Sequence, residues 1–543
     1  MQNARTRSVA LLAIAAGLPA VEALILAALS FRAALGLTPQ VTAVWPYDTY
    51  HDLRWLLVYH DSWLGFAVGL VAVVVARGVL TAVLIMLAWP DGTAPSLRWL
   101  IWRNVRISAL VVMIISPWAM LAVAAAGVSL SWYLLASLLP LLLLSPFLQR
   151  AGVVRQWWRG LPTIELTGWT LLNFAVLTVA GAVTSSGIGW LVVPAAAVAG
   201  AANGLLWQRT VRAAVRPARV RWARVPVAPV AVVGVFVAAF VAQNVIGISA
   251  GVRRPWRPPV LSETLPGTVD HAVIVLAGYG SSYAGEPAAD RNVERFSYRG
   301  LDDQERPLPY APTDTQQSLQ TSAEVLAAHV DALHRRTGRR VALVGQSEGA
   351  MVVRTFLEIR RHPAVDTALL FSPLVQPGRA YYPPPGESTG WGVVTGWGLR
   401  GIFALASATK QTKDDPDEPF VRSILDNAPF YRNRSLCEVP GVRIVAFLPT
   451  VTAAEAPPGE YTRVPVFQIP AFHGGVIGRA VAQDRLVDTL SGEAVSLRRS
   501  EYAPFQRLAA GWQAPPLLLS VNPVWRGSDQ ADPALTGRIC ESG

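Results

Sequence analysis

Two positions stand out for chemistry: Ser347 in Gly345-Gln346-Ser347-Glu348-Gly349, and His473 in Ala471-Phe472-His473-Gly474-Gly475. A serine hydroxyl becomes a useful nucleophile when a neighbouring base takes its proton, and an imidazole is the commonest such base. The apolar run Val341-Ala342-Leu343-Val344 predicts a short buried strand, and a helical pattern runs from about 348 to 361. Ser347 therefore falls in a sharp strand-to-helix turn. Glycines on either side leave room for the two elements to pass closely, and unpaired N–H groups at the helix start can meet an oxyanion. His473 follows the last predicted strand in a glycine turn that lets its ring reach a serine. His362, the only other histidine after Ser347, sits just past the helix and reads as a surface residue.

Further strands are predicted at 271–276, 296–298, 368–371, 442–448 and 464–469, with a helix over 314–337 that carries Ala323, Leu326, Ala327, Val330 and Leu333 on one face. Alternating strands and helices imply a mostly parallel sheet covered on both faces. The Gly-x-Ser-x-Gly strand-turn-helix setting is the nucleophile elbow. On these residues the stretch from about 270 to 490 resembles the α/β-hydrolase superfamily of serine hydrolases. The resemblance implies that Ser347 is the nucleophile and His473 the base. It also places half of an oxyanion hole in the turn after the first strand, Gly278-Tyr279-Gly280, with the Glu348 N–H as the other half. The catalytic acid departs from the family pattern, which usually has an Asp soon after the strand at 442–448. Here the text reads Pro449-Thr450-Val451-Thr452-Ala453-Ala454-Glu455, so Glu455 takes that place, with Asp426 or a Ser–His dyad as the open alternatives. The long insertion near 374–440 stands where the superfamily often carries a cap.

The rest of the chain is of a different kind. Of 543 residues, 52% are hydrophobic and only 15% charged, which argues against a purely soluble protein. Seven apolar stretches reach the ~20 residues a membrane crossing needs, near 9–31, 64–88, 107–127, 129–148, 166–185, 187–206 and 227–248. Arginines crowd the segments before the first span and after the second, fourth and sixth, so the net charge of +11 reads as topology and not as a nucleic-acid surface. The N-terminus is then cytoplasmic and everything beyond about residue 249 is extracytoplasmic. Glu22 and Arg77 lie inside spans, where a charge is costly, and are expected to pair with each other or with backbone. The aromatic 37–62 loop is expected at the outer headgroup level.

These readings divide the chain into an all-α transmembrane bundle (1–248), a juxtamembrane linker (249–270) and an extracytoplasmic α/β-hydrolase domain (271–543). The expected protein is a plasma-membrane serine hydrolase acting on an ester or acyl substrate, lipid or envelope, with membrane lipids as its surroundings. An acyltransferase with the same triad, and a non-catalytic transporter or sensor, remain open alternatives. No Walker loop, dinucleotide fingerprint or His/Cys metal pattern occurs, so no cofactor, metal or nucleic acid is expected. Cys437 and Cys540 suit one disulfide if the domain faces an oxidising compartment.

Overall fold

In the computed structural model the described residues are 2–90, 94–125, 138–186, 188–216, 225–238, 256–374, 380–407, 415–434, 436–449, 464–471, 473–493, 508, 510–515 and 532–535. The N-terminal region is helical: α1 (Gln2–Ala28), α2 (Tyr47–Val58), α3 (Trp63–Ala88), α4 (Leu97–Ala125), α5 (Leu139–Val153), α6 (Ile164–Thr184), α7 (Gly189–Val215) and α8 (Val227–Ala238). Among the described residues five of these, α1, α3, α4, α6 and α7, are long and apolar enough to cross a membrane. The expected fourth and seventh spans appear as α5 and α8, shorter apolar helices whose neighbours at 126–137 and 239–255 lie outside the described residues. Thr163 and Ser62 cap α6 and α3 by accepting from Leu166 N (3.2 Å) and Gly65 N (3.1 Å). At the opposite end of α3, Arg7 donates to Met86 O (2.8 Å) and Trp89 O (2.7 Å). Arg103 likewise donates to Ala151 O at the end of α5 (2.6 Å). The arginines that mark this end of the bundle thus also satisfy helix carbonyls there.

The segment from 32 to 60 does not lie at the bundle's surface as its aromatics suggested. It enters the bundle, and Trp45, Tyr47, Tyr50, His51 and His60 are buried. Thr42 Oγ1 donates to Ala15 O (2.8 Å), 13 residues below the end of α1, a depth of roughly 20 Å at 1.5 Å per residue. Irregular backbone at that depth must find partners within the protein. Asn173 Oδ1 accepts from Val44 N (2.9 Å), Asn203 Nδ2 donates to Pro39 O (2.8 Å), and Trp207 Nε1 donates to Thr42 O (3.0 Å). Arg77 and Glu22 do not pair directly. Arg77 grips Asp52 and lies 3.7 Å from Asp48, while Glu22 faces His51 at 3.2 Å.

The C-terminal region is built on β1 (Ala272–Leu276), β2 (Val293–Arg295), β3 (Val341–Gln346), β4 (Val365–Phe371), β5 (Arg443–Pro449) and β6 (Val466–Ile469). All neighbouring pairs are parallel, in the order β2-β1-β3-β4-β5-β6. The helices are α9 (Leu319–Thr337), α10 (Glu348–Ile359), α11 (Val393–Ser407), α12 (Pro419–Asp426), α13 (Ala428–Arg434) and α14 (Ala480–Leu490). Alternate strand residues feed two cores: Ile274, Leu343 and Leu370 join one with α9 and α10, while Val275, Val344 and Phe371 join the other with α14. Buried on both faces, the strands read as unbroken apolar runs. Part of the expected linker belongs to this domain, since Val260 and Leu261 are buried in the second core.

The insertion after β4 fastens the domain to the bundle. Thr395 Oγ1 donates to Leu57 O (2.6 Å), Val394 N to His60 Nε2 (3.0 Å) and Gly392 N to His60 O (2.7 Å), and Gly398 abuts Met120. A second fastening comes from the short 3₁₀ turn Ala510–Trp512. Trp512 stacks on Phe174 (4.5 Å between ring centres) and donates to Thr178 Oγ1 (2.9 Å), and Arg54 donates to Gln513 O (2.7 Å). Tyr381, Tyr382, Leu399 and Trp512 share one apolar core with Trp45, Trp118 and Leu148 of the bundle. Cys437 is bonded in a disulfide. The chain's one other cysteine, Cys540, lies outside the described residues.

Candidate active site

The strand order places a reversal between β1 and β3: the chain runs outward from β1 to β2, then returns to the other side of β1. In open parallel sheets ligands bind beyond the strand ends at such a reversal. Ser347 stands at that point, directly after β3, with φ 55° and ψ −115°. A non-glycine residue at positive φ is strained and is held only by its surroundings. Here Ser347 N donates to Phe371 O (2.8 Å), and Ser347 O accepts from Ala350 N (3.0 Å) at the start of α10. The flanking glycines are sterically required. A Cβ on Gly345 would lie 2.4 Å from Gly349 O, and one on Gly349 would lie 2.7 Å from Leu276 Cβ. Gly278, in the turn after β1, is equally tight: its Cβ would stand 2.9 Å from that of Ser347.

His473 begins a 3₁₀ turn after β6, and its Nε2 lies 2.8 Å from Ser347 Oγ, across 126 residues of sequence. That is hydrogen-bond geometry for a nucleophile and its base. The ring keeps some solvent contact yet sits deep among protein atoms, and burial pushes its pKa down to about 4. At neutral pH it is therefore uncharged, the form that can accept the serine proton. The loop that carries it is held by two residues that sequence reasoning did not single out. Gln346 Nε2 donates to Gly474 O (2.9 Å), while its Oε1 accepts from Trp256 Nε1 (2.7 Å). Ser372, itself at φ 47° after β4, donates from Oγ to His473 O (2.7 Å). Gln346 is the last residue of β3 and Ser372 follows directly on β4, and that position at adjacent parallel strand ends was the available signal.

The other expected residues are distributed as follows. Glu455, the expected acid, lies outside the described residues. Asp426, the alternative, is engaged by Arg422 NH2 at 2.5 Å within α12. His362 pairs with Asp331 (2.9 Å), in keeping with a surface role. Of the Gly278-Tyr279-Gly280 turn, the Gly280 N–H is committed to Thr315 Oγ1 (3.0 Å), and Gly278 O accepts from Ser281 N (3.2 Å). Tyr279 stacks on Phe420 of the insertion (5.4 Å), so α12 borders the site while α11 rests on the bundle. Glu348 is fully buried, and both its carboxyl oxygens lack a hydrogen-bond partner among the described residues. Burial, reinforced by Glu418, raises its pKa well above the usual carboxylate range, so it is a neutral acid behind the serine. Among the described residues no group of three or more metal-ligating side chains occurs.

What the fold defines is a parallel-sheet α/β domain joined to a helical region with membrane-capable helices. No family model and no curated protein matches the chain.

Proposed function

We propose that this chain is a membrane-anchored serine hydrolase of the α/β-hydrolase type, acting on a lipid or envelope ester. The observation that carries the reading is the Ser347 Oγ–His473 Nε2 contact of 2.8 Å, made from a strained turn at the reversal point of a parallel sheet. In this mechanism Ser347 Oγ attacks the acyl carbonyl as its proton passes to His473 Nε2. The Tyr279 and Glu348 N–H groups meet the oxyanion, and the leaving alcohol takes the proton back from Nε2. His473 then deprotonates a water that cleaves the acyl-enzyme. Glu455, outside the described residues, is the acid expected for the Nδ1 side of the imidazole, and the alternative is a Ser–His dyad in which no carboxylate reaches the ring. The same reading gives seven spans, with α5 and α8 as parts of the fourth and seventh, and puts the sheet domain outside the cytoplasmic membrane. Support comes from the bundle's two ends: the insertion docks at Leu57, His60 and Met120, opposite the arginine-bearing ends near Met86 and Ala151.

A fluorophosphonate probe applied to membranes holding the full chain tests it. Wild type should be labelled, Ser347→Ala should not, and His473→Ala should label far more slowly. Undiminished labelling of Ser347→Ala, or no labelling of folded wild type, would overturn the reading.

A further inference from the structure

One cluster of titratable groups has no part in the chemistry at Ser347. His51, in α2, is buried inside the bundle with Asp52 Oδ1 2.9 Å from Nδ1 and Glu22 Oε1 3.2 Å from Nε2. Trp55 Nε1, which can only donate, also lies 3.2 Å from Nε2. The charged groups around the ring are Glu22 from α1, Asp48 and Asp52 from α2, and Arg77 from α3.

Donor counting makes this arrangement unstable with a neutral ring. A neutral imidazole has one N–H. If Nδ1–H serves Asp52, then Nε2 is bare, accepts from Trp55 and confronts the Glu22 carboxylate lone pair to lone pair. One added proton on Nε2 removes the conflict, because Nε2–H then donates to the Glu22 carboxylate. Charge counting leads the same way. With a neutral ring the two carboxylates that touch it, Glu22 and Asp52, outnumber the single Arg77 cation, and buried excess charge is expensive. A bound proton reduces that excess.

We propose that Glu22 and His51 form a proton-binding site within the helical bundle, and that His51 Nε2 exchanges partners with occupancy. Loaded, it is joined to Glu22; empty, it accepts from Trp55. The exchange takes place close to the domain contact, since Trp55 packs on Tyr59 (5.5 Å) and Tyr59 on Trp391 of the insertion (5.9 Å). This inference does not depend on the reaction at Ser347.

The test is ¹⁵N-histidine NMR of the full chain in lipid nanodiscs, titrated between about pH 5 and pH 9, with His51→Gln assigning the ring. The expected result is a ring whose Nδ1 stays protonated while Nε2 loses its proton within that range. Glu22→Gln should lower the midpoint by about one pH unit or more, a tenfold or greater loss of proton affinity. Trp55→Phe should move it the other way, because the deprotonated ring loses its donor. A merely packed histidine would show neither shift. The proposal is overturned if the wild-type ring keeps one protonation state throughout, or if Glu22→Gln leaves its midpoint in place.

Discussion

The depressed pKa of His473 can be tested with pH as the only perturbation. Moving an imidazole from 6.5 to about 4 disfavours the imidazolium by roughly 3 kcal/mol. The active form is the neutral one, so reactivity is present above the pKa and lost as pH falls through it. At pH 5 an ordinary histidine is only about 3% neutral, whereas one titrating at about 4 is about 90% neutral. Inactivation by a fluorophosphonate should therefore slow by only about a tenth between pH 7.5 and pH 5, against about 30-fold for an ordinary base. The assay compares pseudo-first-order labelling rates of the full chain in detergent at the two pH values, with Ser347→Ala as the blank and a melting curve to verify folding at pH 5. A fall near 30-fold would refute the argument from burial, and would mean that a carboxylate reaches the ring and restores its basicity.

Two further outcomes follow from the same neighbourhood. Gln346→Leu removes the bond to Gly474 O and should lower kcat/KM by about tenfold to a hundredfold while the fold persists, because the base loses its positioning; an unchanged pH–rate profile with reduced rate separates this from a change in the base itself. Glu348 binds a proton more tightly folded than unfolded, so wild-type stability should fall with rising pH above about 4.5, by at most about 1.4 kcal/mol per pH unit. Glu348→Gln should abolish that slope, seen as a melting-temperature advantage that grows from pH 5 to pH 8; parallel curves would show that Glu348 ionises freely.

The elbow, the six strands and His473 were legible because each rests on a local pattern: an apolar run, a glycine pair, a turn after a strand. Only β2 was displaced, from 296–298 to Val293–Arg295. The 32–60 segment was not legible. Trp45, Tyr47 and His51 read the same at a headgroup layer as inside a bundle, and the groups that satisfy the buried backbone, Asn173, Asn203 and Trp207, lie 129 to 165 residues away. Glu22 and Arg77 were marked as costly, yet their partners came from a segment read as a loop at the headgroup level, which forms α2. The roles of Gln346 and Ser372 depend on which loop the fold brings past them, and no spacing rule conveys that. The insertion was legible as apolar, but not that its apolar helix serves the bundle while Phe420 borders the site.

The double fastening of the α/β domain has a consequence for reach. A catalytic domain on a flexible tether sweeps a hemisphere and meets targets at an effective concentration set by its linker. This domain is tied to the bundle through Thr395 and Val394 at one place and through Trp512 and Gln513 at another. Two separated ties remove rotation as well as translation, so Ser347 works at one height and one bearing relative to the helices. On the proposed function, substrates must reach that spot by their own diffusion. Lengthening the chain at 239–255 would not widen the area it serves.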